Sequence, residues 1–121
     1  MESVTVKTSS AKSKGRKLQQ IVRDAILSVY TKLTQNDVRS TGMGQSGVDV
    51  QLSEAALRLF PYSIECKNVE RLNLWATIKQ AEENIMPNTE PLIVIKRNRQ
   101  KAYALIPFEH FMEIQRGKEE K

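Results

Sequence analysis

Glu65 and Lys67 stand two residues apart in Ile64-Glu65-Cys66-Lys67-Asn68, and Asp49 lies upstream in Gly47-Val48-Asp49-Val50. Side chains on a β-strand alternate between faces, so Glu65 and Lys67 share one face while Ile64 and Cys66 take the other. An aspartate on a neighbouring strand brings a second carboxylate to the same point. Two carboxylates make an oxygen-rich site for a hard divalent cation, with an ammonium beside it. Taken alone, Glu-x-Lys reads more readily as a solvated strand face with a weak ion pair. The surrounding elements must decide.

At 121 residues the chain fits one domain with a single modest core. We expect residues 1–12, rich in Ser, Thr and Lys, to form a flexible basic arm, and residues 13–121 to form the domain. No apolar run approaches the roughly 18 residues of a membrane span. Met1 to Lys17 has no apolar core of a signal peptide, so the expected location is cytoplasmic, away from membranes. The single cysteine, Cys66, excludes an internal disulfide. Nineteen Lys and Arg against fourteen Asp and Glu leave a net charge of +5, which suits a polyanionic partner such as nucleic acid.

Leu18, Ile21, Val22, Ala25, Ile26, Val29 and Leu33 recur at helical spacing and predict an amphipathic first helix with a basic start at Lys12, Lys14, Arg16 and Lys17. Residues 34–47, with three glycines, read as loop; no Gly-Lys-Ser/Thr ending is present, so a nucleotide cofactor is not expected. Val48 to Leu52 predict a short strand, Ser53 caps a helical turn, and Tyr62 to Lys67 predict a strand hairpin-paired with the first. Leu74, Trp75, Ile78, Ala81 and Ile85 give a second amphipathic helix, with Trp75 expected in the core. Leu92 to Ile95 read as a buried strand, Lys96 to Lys101 as a basic turn and Ala102 to Ile106 as the last strand. Pro107 opens a closing helix with Phe108, Phe111, Met112 and Ile114, its aromatics expected in the core and His110 in a structural or surface role. The expected class is α/β, a central mixed sheet of about four strands flanked by helices in the order α-β-β-α-β-β-α.

In this order the chain resembles the PD-(D/E)XK nuclease superfamily, and within it the small Holliday-junction-resolvase-like endonucleases of archaea and phages. Asp49, Glu65 and Lys67 match the motif, Lys14-Gly15 precedes the first helix as in the family, and a Ser/Gly-rich loop leads to Asp49. Val48 stands where the motif has proline. The family's helix-one glutamate is replaced by Gln19, which helical geometry sets at the edge of the apolar stripe, whereas Gln20 points away. Gln80 lies on the helix after the lysine strand, where relatives carry a glutamine.

The resemblance implies a restriction-endonuclease-like core and a Mg²⁺-dependent DNA endonuclease, with Mn²⁺ able to substitute. Asp49, Glu65 and the backbone carbonyl of Cys66 would hold the metal, Lys67 would position the attacking water, and Gln19 and Gln80 would complete the catalytic set. Lys14, Arg16, Lys17, Arg39, Ser46, Lys96, Arg97, Arg99 and Lys101 are candidates for DNA contacts. Holliday junctions or other branched DNA are the expected substrates, and symmetric cutting of two strands calls for a homodimer. If the chain is phage-encoded, the host cytoplasm is its place of action. The alternatives are a repair or restriction-type nuclease on linear or single-stranded DNA, and a non-catalytic DNA-binding module on the nuclease scaffold.

Overall fold

A computed structural model describes residues 2–42 and 47–119, with side chains from residue 10 onward in these segments. The described residues form four helices and one five-stranded sheet: α1 (Glu2–Val29), β1 (Val38–Ser40), β2 (Val50–Leu52), α2 (Glu54–Leu59), β3 (Tyr62–Asn68), α3 (Leu74–Glu83), β4 (Glu90–Lys96), β5 (Tyr103–Leu105) and α4 (Phe108–Glu119). The sheet order is β1-β2-β3-β4-β5. All neighbours are antiparallel except β3 and β4, which run parallel with α3 as their crossover. The expected mixed α/β architecture is therefore present. Among the described residues no helix is long and apolar enough to cross a membrane.

Alternation along β3 divides the sheet into two environments. Ile64 and Cys66 turn to α1, where Leu18, Val22 and Ile26 close a core with Val38, Val50 and Leu92. Glu65 turns to the opposite face, beside Ile93 of β4 in the parallel register and under α3, which buries Thr77 and Ala81. Ser53 caps α2 by accepting the Ala56 N–H, and Asn73 caps α3 by accepting the Ala76 N–H. Asp37 ties the first cap to the loop before β1: its carboxylate accepts the Ser53 hydroxyl at 2.7 Å and the Thr34 N–H at 2.8 Å.

Several expectations need correction. The sheet has five strands, because Val38–Ser40 pairs with Val50–Leu52 inside a stretch read as loop. Helix α1 begins at Glu2, well before the apolar stripe. Trp75 is 77% exposed and thus no core residue, and Phe108 (74%), Phe111 (47%) and Met112 (42%) also face outward; α4 buries no residue. His110 fits its structural role, sitting edge-on to Tyr62 with its Nε2 in a hydrogen bond to the Tyr62 hydroxyl.

Candidate active site

The approach to β2 places Asp49 in an unusual position. Val50 is registered opposite Ile64, yet the Asp49 N–H also donates to the Ile64 carbonyl at 2.8 Å. Two residues thus face one, the arrangement of a β-bulge, which re-aims a side chain. The Asp49 carboxylate turns into the gap beside β3 and accepts the Cys66 N–H at 2.7 Å. In a regular ladder the carbonyl of Val48, the residue across from Cys66 in this register, would occupy that place. Because the N–H and C=O of one strand residue project to the same edge, the Cys66 carbonyl points to this gap too.

Glu65 is 2% exposed, and its carboxylate meets that of Asp49. The Asn84 amide donates to Glu65 Oε1 at 2.9 Å and to the Gly47 carbonyl at 3.3 Å. Gly47, at φ +88, supplies the left-handed turn that leads the chain into Asp49. Thr41 fastens the other side, donating its N–H and hydroxyl to the Asp49 carbonyl.

Burial pushes the Asp49 carboxyl up from its ordinary range, against the Cys66 N–H, the Glu65 carboxyl and the Lys67 charge, which pull it down. Glu65 is pushed up by burial and by Asp49, against the Asn84 amide and Lys67. Burial thus raises both acids, and the pair as a unit holds a proton more tightly than an isolated carboxyl does. Burial and these two acids also push the Cys66 thiol up, which makes it an inert packing group. A cation entering such a site would have to displace any proton the pair holds. Among the described residues no group of three or more His, Cys, Asp or Glu side chains converges, so the pair contributes two carboxylates. Magnesium is commonly held by one or two carboxylates, with water and substrate phosphate completing its shell, and the donor set fits it.

Gln19, 1% exposed, faces the sheet as its helical position requires. Its Oε1 accepts from the Ser40 hydroxyl and from the Gly42 N–H, which joins α1 to the end of β1. Gln80 is exposed on α3, and the amide that reaches Glu65 belongs to Asn84 one turn later. Asn84 carries no sequence signal beyond its place at the C-terminus of the second amphipathic helix. Its role depends on the Gly47 turn folding back over α3.

The basic candidates fall into separate groups. Arg16 and Arg39 line a groove with Arg23, and this groove includes Thr41 and Gly42. Lys96, Arg97 and Lys101 line a second cleft that includes Lys67 itself. Lys17 is exposed on α1, Lys14 is half-buried there, and Arg99 stands in the β4–β5 turn at φ +61. Ser46 lies outside the described residues. Comparison with models of protein families, with characterised proteins and with solved structures finds no match to this chain.

Proposed function

We propose that the chain is a Mg²⁺-dependent DNA endonuclease of the PD-(D/E)XK type, built on a restriction-endonuclease-like core and selective for branched DNA such as Holliday junctions. The observation that carries the reading is the meeting of Asp49 and Glu65 beside Lys67. Two partly desolvated carboxylates repel each other unless a proton or a cation lies between them. Asp49, Glu65 and the Cys66 carbonyl are the groups to hold that cation, with Mn²⁺ able to replace Mg²⁺. When bound, the ion supplies polarisation of the scissile phosphate and a lowered pKa for water. Lys67 orients the attacking water and offsets the charge that grows on the phosphate oxygens. The two basic grooves support a DNA substrate, since one reaches the acids through Lys67 and the other through Thr41. The apolar side chains exposed on α4 offer a surface for the second copy that symmetric cutting requires.

The test is cleavage of a labelled four-way junction and of a linear duplex, with Mg²⁺ and with EDTA. Wild type should cut the junction only with metal. Asp49→Asn and Lys67→Ala should each lose roughly 100-fold or more in rate while still binding DNA. Undiminished cutting by either variant would overturn the assignment. Equal cutting of linear DNA by a monomer would move it to the repair or restriction type.

A second reading, a metal-free DNA-binding module, is favoured by one observation: helix α1 offers Gln19, an uncharged residue whose carbonyl oxygen is engaged by Ser40 and Gly42. Calorimetric titration with Mg²⁺ or Mn²⁺ separates the two, because the module would show no heat that depends on Asp49 and Glu65.

A further inference from the structure

The cleft that opens at Lys67 has a volume of about 400 Å³. It lies at the carboxyl ends of the parallel strands β3 and β4, where open α/β sheets place their ligands. Lys67, Ile95 and Tyr103 are registered side by side across three strands and form one row of its floor, with Leu72 against them. Lys96, Arg97 and Lys101 stand around it. Glu70, the one acid among the described lining residues, accepts the Asn98 N–H at 2.8 Å and so pins the β4–β5 turn over the cleft. Tyr103 is 56% exposed, and the Lys101 ammonium lies 5.5 Å from its ring centroid.

We infer that this cleft seats one unpaired nucleotide of the DNA substrate, its base on the Tyr103 ring and its phosphate toward Lys67. The volume is at the lower end of pockets that enclose small molecules, roughly 300–1,000 Å³, so it admits a single nucleoside and excludes a duplex. An apolar, aromatic floor with a cationic rim is the chemistry that holds an unstacked base by its π-face and the adjoining backbone by charge. Two strand spacings, about 10 Å, separate Tyr103 from Lys67, within the reach of a nucleotide that spans them. This inference rests on the nuclease reading for the meaning of Lys67, and it gives the selectivity a cause. Branch points and bulges offer unpaired nucleotides that an intact duplex withholds.

Binding measured in EDTA tests it without relying on cleavage. Fluorescence anisotropy would compare a labelled duplex carrying one extra, unpaired thymidine with the perfect duplex of the same length. Wild type should bind the bulged DNA more tightly. Tyr103→Ala should erase that preference by weakening the bulged complex roughly five-fold or more, and Tyr103→Phe should keep it. Lys96→Gln should weaken both complexes alike. If Tyr103→Ala folds poorly, Tyr103→Leu keeps the apolar surface without the ring, and the same loss is expected. Equal affinities of wild type for the two DNAs would overturn the inference, as would an unchanged preference in the alanine and leucine variants. So would a dimer that dissociates on Tyr103→Ala while DNA preference stays the same. Should the preference hold while Mg²⁺-dependent cutting is absent, the nuclease reading fails and the nucleotide cleft stands.

Discussion

Asp49 joins the sheet at Cys66 through its side chain, the carboxylate standing 2.7 Å from the Cys66 N–H where the backbone carbonyl of Val48 would normally close the ladder. One group thus serves the fold and the chemistry together. Changes in pH, in the residues around the pair and in salt each probe a different part of that arrangement.

The acid pair makes stability depend on pH in a definite sense. Both carboxyls are raised in the fold by burial, so the folded chain holds their protons more tightly than the unfolded chain. Below their ordinary values, 3.8 and 4.5, both states are protonated and the pair costs nothing. As pH rises through the folded values the cost of ionising appears in full. Glu65→Gln should remove part of it, stabilising the metal-free protein at neutral pH by about 0.5–2 kcal/mol, the usual scale of a single stabilising substitution. Urea titrations at pH 4 and 7.5 check this. Parallel losses for wild type and variant would sink it.

Asp37 works in the opposite sense. The Thr34 N–H and the Ser53 hydroxyl hold its carboxyl low, so its contribution is present above the ordinary value of 3.8 and is lost as pH falls through the folded value. Ser53→Ala removes one of these donors together with the α2 cap, and loss of the cap alone should cost about 0.5–2 kcal/mol in a urea titration at pH 7. The difference from wild type should shrink in acid.

Asn84→Ala takes the amide away from Glu65 and from the Gly47 carbonyl. With its donor gone Glu65 rises further, so the pH at which Mg²⁺ binding is half-developed should move upward. A global loss of about 1.5–3 kcal/mol is the scale for a hydrogen bond to a charged group. Metal titrations at several pH values would show the shift. A uniform loss of affinity at every pH would mean that Asn84 acts on shape alone.

Gly47→Ala meets no steric obstacle, yet it forces an L-residue to φ +88. The expected cost is about 1–2 kcal/mol, and metal affinity should fall with it, because the turn aims Asp49. Normal affinity in the folded variant would separate the turn from the site.

Salt dependence counts the phosphates that the protein neutralises. Replacing Lys96, Arg97 and Lys101 together by Gln should reduce the slope of log affinity against log salt by about 0.9 for each phosphate left without its cation. Arg16→Gln with Arg39→Gln tests the other groove. An unchanged slope in either set would remove that groove from the interface.

How far the chain could be read from its residues follows from where the information lies. The helix-one stripe, the β3 alternation and the apolar run of β4 are local patterns, and they placed Gln19, Glu65 and Lys67 on the faces where they occur. Strand β1 stayed hidden because three residues with one buried side chain, Val38, leave no period to detect. Trp75 and Phe108 misled because aromatic content signals burial only when another element covers it, and no described element does so here. Asn84 was invisible for a related reason. Its partners, Glu65 and Gly47, are separated from it by 19 and 37 positions and meet it only through the tertiary fold.

The single registered pair between β2 and β3, Val50 with Ile64, has a kinetic consequence. Between the strands themselves this pair and the Asp49 bonds carry the seam, while Val38 and Val50 hold the β1–β2 ribbon through the core shared with α1, so within the sheet the seam is where local opening should begin. The Cys66 amide lies on that seam and is shielded by a side chain that a cation would draw upon. Its rate of hydrogen exchange therefore reads the occupancy of the acid pair directly, one amide reporting on the state of the whole centre.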